Sequence, residues 1–392
     1  MKKYKLSELY SLSSGISSKP EQAGKGFPFC SFSTVYNNAI LPEELPDLMD
    51  TSEKQRQTCS IRAGDVFLTR TSEKIDELAM SSVALKDYPN ATYSGFLKRL
   101  RPISKKVYPQ YMAFLLRSKY FRKIATNKAV MTLRASFNED IFNDISLELL
   151  PYEDQIKVGN LCYDIEQVIQ NNASIAAELE AAARLLYDYW FVQFDFPDEN
   201  GKPYKSSGGK MTWNQTLKRE IPEGWTVGTL KELFEIGNGK DHHTLEEGDI
   251  PVYGSGGIIR YVNKALHVGE SVLIPRKGTL NNIMYVNGPI WTVDTMYYTR
   301  LKRPQTAIYT YYATQIYDFE RLNTGTGVPS MTSEIIYKLK VLIPPYNILK
   351  QFDNIEQKYF QTQRHGSNEN QQLAALRDFL LPMLMNGQVK LS

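Results

Sequence analysis

Two segments of this chain carry the same heptad pattern at a fixed distance, and any fold must satisfy both. After Leu150-Pro151-Tyr152, positions recur at alternating steps of three and four: Val158, Leu161, Ile165, Val168, Asn172, Ile175, Leu179, Ala182, Leu186 and Tyr189. After Pro344-Pro345-Tyr346 the pattern returns as Phe352, Ile355, Tyr359, Thr362, Gly366, Glu369, Leu373, Leu376, Leu380 and Met383, offset by 194 residues throughout. A period of 3.5 is the mark of helices that pair along a seam, and a polar member such as Asn172 fixes register at some cost in stability. Two unrelated amphipathic helices, each packed on its own domain, would also show apolar stripes. The common offset and the common Pro-Tyr lead-in favour a pair. The pairing residues expected are Ile165, Val168, Asn172, Ile175, Leu179 and Leu186 with Phe352, Ile355, Tyr359, Leu373, Leu376 and Leu380. The second seam lapses at Thr362, Gly366 and Glu369, where a weakened or bent helix is expected.

The duplication extends upstream of each helix. Leu6-Ser7-Glu8-Leu9 through Gly15 matches Leu230-Lys231-Glu232-Leu233 through Gly239 in its apolar positions and closing glycine. Phe27-Pro28-Phe29 is followed by Gly64-Asp65-Val66-Phe67-Leu68-Thr69-Arg70, and Ile250-Pro251-Val252 by Gly269 to Arg276. Each later match reads as a turn, a buried strand and an arginine at or just past its end. Order is kept while the offset drifts, as loop insertions would produce. At 392 residues the chain is too long for one core. The plan is therefore two mixed α/β globular regions, 1–150 and 221–345, each followed by a long helix, 151–193 and 346–392. The stretch 194–220 is rich in Gly, Pro, Ser and charge and reads as turn and linker.

The net charge of +3 permits a nucleic-acid partner without arguing for one, so distribution matters more. From Tyr88 to Asn138 no acidic residue occurs among eleven cations: Lys98, Arg99, Arg101, Lys105, Lys106, Arg117, Lys119, Arg122, Lys123, Lys128 and Arg134. Such a field suits phosphates, whose neutralisation releases condensed counterions; a solvated basic face with no partner is the plainer alternative. Aromatics interleave here, from Tyr93 and Phe96 to Phe121, and most are assigned to core, since Tyr111, Phe114 and Leu115 have helical spacing. Base edges are read by Arg on guanine and by Asn or Gln on adenine. Candidate DNA contacts are Arg70, Lys98, Arg99, Arg101, Lys105, Lys106, Arg134, Arg260, Arg276 and Lys277, with Asn281 as a further base reader.

Patterns for other chemistries fail on inspection. Tyr253-Gly254-Ser255-Gly256-Gly257 lacks the lysine of a P-loop. An amino-methyltransferase needs an Asn or Asp before Pro-Pro-Tyr; here Ile343 stands there and accepts no hydrogen bond. Asp241-His242-His243 has no further ligand at a useful spacing for a metal. Cys30, Cys59 and Cys162 form neither a disulfide framework nor a metal motif, which fits a reducing cytoplasm. The N-terminus has no apolar h-region and no apolar run is long enough to span a membrane, so neither secretion nor a membrane partner is expected.

Several stretches resemble the specificity subunits of type I restriction-modification systems. Leu185 to Pro197, continuing through Gly201 to Gly209, is similar to their central region. Gly64 to Glu73 and Thr132 to Asn138 resemble their first target recognition domain, and Leu380 to Gly387 the end of their second helical region. The similarity covers nearly the whole chain. It implies two α/β target recognition domains separated by two long antiparallel helices that act as a coiled-coil-like spacer. It also implies a subunit without its own active site, reading double-stranded DNA in two half-sites. Its partners would be methylation subunits, two of them expected, that carry S-adenosylmethionine. A restriction subunit would use ATP and Mg for translocation and cleavage. A helix from Val158 to Tyr189 would be ~48 Å long, against ~34 Å for one turn of duplex. The alternatives are a DNA-binding protein working without a methylase, and an enzyme with a site near Asp241-His242-His243.

Overall fold

The computed structural model describes residues 1–72, 78–128, 135–325, 327–385, 387–389 and 391. The chain divides into two compact units, Met1–Ala173 with Ser367–Ser392, and Ser174–Gly366. Both long helices, Tyr152–Tyr187 and Tyr346–Met385, cross this division, so each unit owns part of each helix. The boundaries of the compact units thus fall within the helices, not at their starts.

The first unit is built on a four-stranded antiparallel sheet in the order Tyr10–Ser14, Leu97–Pro102, Val66–Thr69, Ser81–Val83. Val66, Phe67, Leu68 and Thr69 are all buried, as a strand covered on both faces requires. One face packs on the helix Pro109–Leu115, where Tyr111, Phe114 and Leu115 are core as expected. The other packs on a smaller cluster around Cys30, Tyr93 and Leu97. The second unit carries a six-stranded sheet in the order Phe234–Asn238, Met296–Leu301, His267–Pro275, Met284–Thr292, Ile250–Gly254, Gly257–Val262.

The repeat read from the sequence is a repeat of structure. Lys2–Lys5 pairs with Ser146–Leu149, and Thr226–Thr229 pairs with Lys340–Ile343. Each pair is followed by a four-residue helix, Leu6–Leu9 or Leu230–Leu233, closed by the same device. Glu8 accepts the Lys5 N–H at 2.8 Å, and Glu232 accepts that of Thr229 at 2.8 Å. A carboxylate at the third helical position satisfies a donor that the helix start leaves open.

The region 194–220 is not a linker. Phe194 and Phe196 are buried in the core of the second unit, where Phe196 stacks on Trp225 at 5.1 Å. Asp195 accepts the N–H and the hydroxyl of Ser206 at 2.7 and 2.6 Å, and these bonds hold its carboxyl below the usual range. Strands Met211–Asn214 and Arg219–Pro222 form a hairpin there. Polar composition concealed an aromatic anchor that continues the π-turn Asp188–Val192 ending the first long helix, whose Trp190 and Phe191 are also core.

Candidate nucleic-acid interface

The end of one strand in each unit presents an arginine through the same hydrogen bonds. In the first unit the Arg70 N–H donates to the Phe96 carbonyl at 2.8 Å, and the Arg70 carbonyl accepts the Phe137 N–H at 2.8 Å. In the second, the Arg276 N–H donates to the Thr295 carbonyl at 2.8 Å, and its carbonyl accepts the Met331 N–H at 2.9 Å. The supporting turns match as well: Ile16 N–H bonds the Tyr93 carbonyl, and Lys240 N–H that of Thr292. Glycine is required where these turns meet. A Cβ on Gly15 would lie 2.2 Å from the Ser94 carbonyl oxygen, and one on Gly239 would lie 1.9 Å from that of Val293.

Around these frames the candidates sort by geometry. Arg70 is exposed, with Nη1 only 3.4 Å from the Gly95 carbonyl, and it has no ion pair among the described residues. Lys98 reaches Ser14 Oγ at 2.8 Å, and partial burial, then the Arg70 charge, lowers its pKa. Arg276 is half-buried beside exposed Lys277. Arg260 donates to the Leu245 carbonyl at 2.9 Å, which fixes the loop before the neighbouring strand Ile250–Gly254. Asn281 bonds Asp318 and accepts the Phe319 N–H at 2.7 Å, so its amide staples a loop and does not stand free for a base.

Two candidates leave the set. Arg99 is only 6% exposed; it donates to the Ser60 carbonyl at 2.7 Å and lies over Tyr93. Arg101 grips the buried Asp65 with both prongs, at 2.8 and 2.6 Å, and this pairing raises its pKa further. Both serve the core because the strand carrying them is central and covered on two sides. Arg117 likewise caps the carbonyls of Ser81, Val35, Tyr36 and Asn38. The basic stretch is also not one face. Ser14 pairs with Lys98 at one end of the sheet and Tyr10 with Pro102 at the other, and Lys105 and Lys106 follow Pro102. These two lysines line a hollow with Tyr4 and Tyr152, where Lys106 lies 4.6 Å from the Tyr4 ring centroid. Arg134 lies outside the described residues.

The helix seam differs by one position in every second step. In the first unit the inward residues of the central helix are Val158, Cys162, Ile165, Ile169 and Asn172; in the second they include Ala176, Leu179, Ala183 and Tyr187. Leu186 is half-buried and packs against the second unit's core. Val168 and Ile175, expected in the seam, are 39% and 47% exposed. The C-terminal helix shows the same displacement. Phe352, Tyr359, Leu373 and Leu380 hold, Ile355 is half-buried, and Leu376 is 47% exposed. Its inward positions are instead Glu356 and Gln363 in the second unit, and Asn370 and Arg377 in the first.

Long polar side chains at these positions explain the choice of face. Gln363 donates to the Ala176 carbonyl at 2.9 Å, and Asn370 to the Ile169 carbonyl at 3.0 Å. Asn172 donates to Glu369 and Asn370 at 2.8 and 3.0 Å, and Arg377 pairs with Glu166 at 2.8 Å. A helical carbonyl has a second lone pair for such a donor. The helices run antiparallel in each unit, and the polar gap is a ladder of bonds in a helix unbroken from Tyr346 to Met385.

Asp241-His242-His243 forms a surface turn, with His243 Nδ1 2.5 Å from Asp241 Oδ1 and the two rings stacked. Among the described residues no group of three or more His, Cys, Asp or Glu is placed to hold a metal, and no helix is long and apolar enough to cross a membrane.

Within the second unit, residues 222–364 match the type I restriction modification DNA specificity domain. Over its length the chain is 22% identical to the type I restriction enzyme MjaIX specificity subunit of Methanocaldococcus jannaschii, covering 86% of this chain and 81% of that one. It is 20% identical to the type I restriction enzyme HindI specificity subunit of Haemophilus influenzae, covering 92% and 94%. Its fold is similar to the type I S subunit from M. genitalium, with a TM-score of 0.67 and 16% identity over 98% of this chain and 96% of that one. The resemblance to type I specificity subunits read from the sequence is borne out.

Proposed function

We propose that this chain is the DNA-recognition subunit of a type I restriction-modification complex, and that each unit reads one half of a bipartite target. The observation that carries this is the duplicated hydrogen-bonded frame, which presents Arg70 in one unit and Arg276 in the other, in a chain related to specificity subunits. Arginine on guanine is the commonest specific base contact, and neighbouring lysines such as Lys98 and Lys277 suit phosphates. The reading is of a chain with no active site of its own. S-adenosylmethionine belongs on two methylation subunits, and ATP and Mg on a restriction subunit. An exposed apolar stripe in the second unit supports docking of such partners: Ile175, Ala182 and Tyr189 recur every seventh residue, with Leu185 and Val192 nearby.

Helix length sets the gap between half-sites in this scheme. Deleting one heptad from both helices removes about 10 Å, or roughly three base pairs. Mapping methylated sites in cells that co-express the chain with a cognate methylation subunit should show a shorter gap, and an unchanged gap refutes the spacer role. Exchanging residues 1–150 for those of a relative should change one half-site only; a change in both refutes the division of labour.

A further inference from the structure

In the first unit one side chain, the ring of Phe96, makes no hydrogen bond and is not part of the core, and the matching position in the second unit carries no ring. Phe96 is 63% exposed, at the turn that supports Arg70. Its backbone is pinned: its N–H donates to Ser94 Oγ at 3.2 Å, its carbonyl accepts the Arg70 N–H, and the Gly95 N–H bonds the Ile16 carbonyl at 2.7 Å. The ring takes part in none of this. In the second unit Thr295 fills the same place, its carbonyl accepting the N–H groups of Arg276 and Lys277. Leaving a phenyl ring in water forgoes about 2 kcal/mol of burial, so the fold alone gives no reason for it.

The surroundings say what the ring meets. Among the described residues its hollow is lined by Ile16, Ser17, Ser18, Arg70, Thr71 and Ser94, of which Ile16 is the one large apolar residue and is itself buried. Lys98 lies close enough for its charge to feel Arg70, and of nearby carboxylates Glu139 acts on it. A lone ring in a polar, cationic setting is a poor match for an apolar protein surface and a good one for a duplex. Apolar side chains read the thymine methyl in the major groove.

We propose that Phe96 is a base-contacting residue of the first unit, its ring packing on a thymine methyl while Arg70 and Lys98 hold the adjoining base edge and phosphate. This rests on the DNA-recognition reading above. The test is selection of random-sequence duplexes by the full-length chain, wild type and Phe96→Ala. The wild type should enrich two half-sites. Phe96→Ala should lose the preference for thymine at one position of one half-site, with affinity down about fivefold or more. Replacing that thymine by uracil, which removes only the methyl, should cost the wild type the same factor and Phe96→Ala nothing. The untouched second half-site reports that the variant is folded. An unchanged half-site, or a loss that is uniform across sequences, overturns the inference while the recognition reading stands. If the wild type enriches no bipartite sequence, the reading fails and the inference with it.

Discussion

The start of the C-terminal helix buries two carboxyl groups, those of Asp353 and Glu356. Glu356 is fully buried, and neither of its carboxylate oxygens has a hydrogen-bond partner among the described residues. Asp353, one turn earlier, is 3% exposed, with Oδ1 likewise unpartnered. Glu270 adds a third carboxyl, bonded to Tyr285 and Gln357, and Tyr312 faces Glu356 from its own helix. Burial first, then Asp353, pushes Glu356 up to about 8; burial first, then Glu270, pushes Asp353 up to about 7. The folded chain therefore holds protons that the unfolded chain has released. Their contribution to stability is complete below the ordinary carboxyl range and is lost as pH rises towards 7 and 8. One extra proton in the folded state gives a slope of about 1.4 kcal/mol per pH unit, or roughly 3 kcal/mol between pH 5.5 and 7.5. Urea unfolding followed by tryptophan fluorescence, which reports on the buried Trp190 beside Phe352, should show stability falling across this range. Glu356→Gln should remove most of the slope that Glu356 supplies and leave only that of Asp353. Equal slopes in wild type and variant would refute the argument.

Arg101→Ala strips the buried Asp65 of its bidentate partner and should destabilise the first unit by about 3 kcal/mol, read as a lower urea midpoint. A variant with unchanged stability but weakened DNA binding would return Arg101 to the interface. Asn370→Ala removes a donor to the Ile169 carbonyl and an acceptor for Asn172, and should cost about 1–2 kcal/mol by the same assay. Asn370→Leu should recover part of that stability with slower amide exchange nowhere along the seam, since packing would be restored without the bond.

The repeat was legible because it rests on punctuation: glycines, capping glutamates and the Pro-Tyr lead-ins sit in the same order in both copies. The seam was half legible. Val158, Ile165, Asn172 and Leu179 are inward, but steps of three then four placed Leu161, Val168 and Ile175 in the seam, where steps of four then three bring Cys162, Ile169 and Ala176 inward. Amides from the other helix reach the backbone of this face at Ile169 and Ala176, and a period of apolar residues carries no trace of such bonds. The basic stretch misled for a different reason. Neighbours in sequence along Leu97–Pro102 point to opposite faces of a buried strand, so Lys98 reaches the surface while Arg99 and Arg101 turn inward. Asp65, the acid that claims Arg101, lies far upstream and only pairing of the strands brings it near. Phe96 was not singled out among the interleaved aromatics because nothing in the sequence separates a ring on a pinned turn from a ring beneath a sheet.

Two rungs of the ladder end on main-chain oxygens, those of Ala176 and Ile169. Every amino acid carries that acceptor. At these two rungs the alignment is written in one helix: Gln363 and Asn370 must be kept, whereas the residues at 169 and 176 are free to drift. Substitutions at positions 169 and 176 leave this lock its acceptors, because it recognises a backbone and asks nothing of the particular side chains that backbone carries.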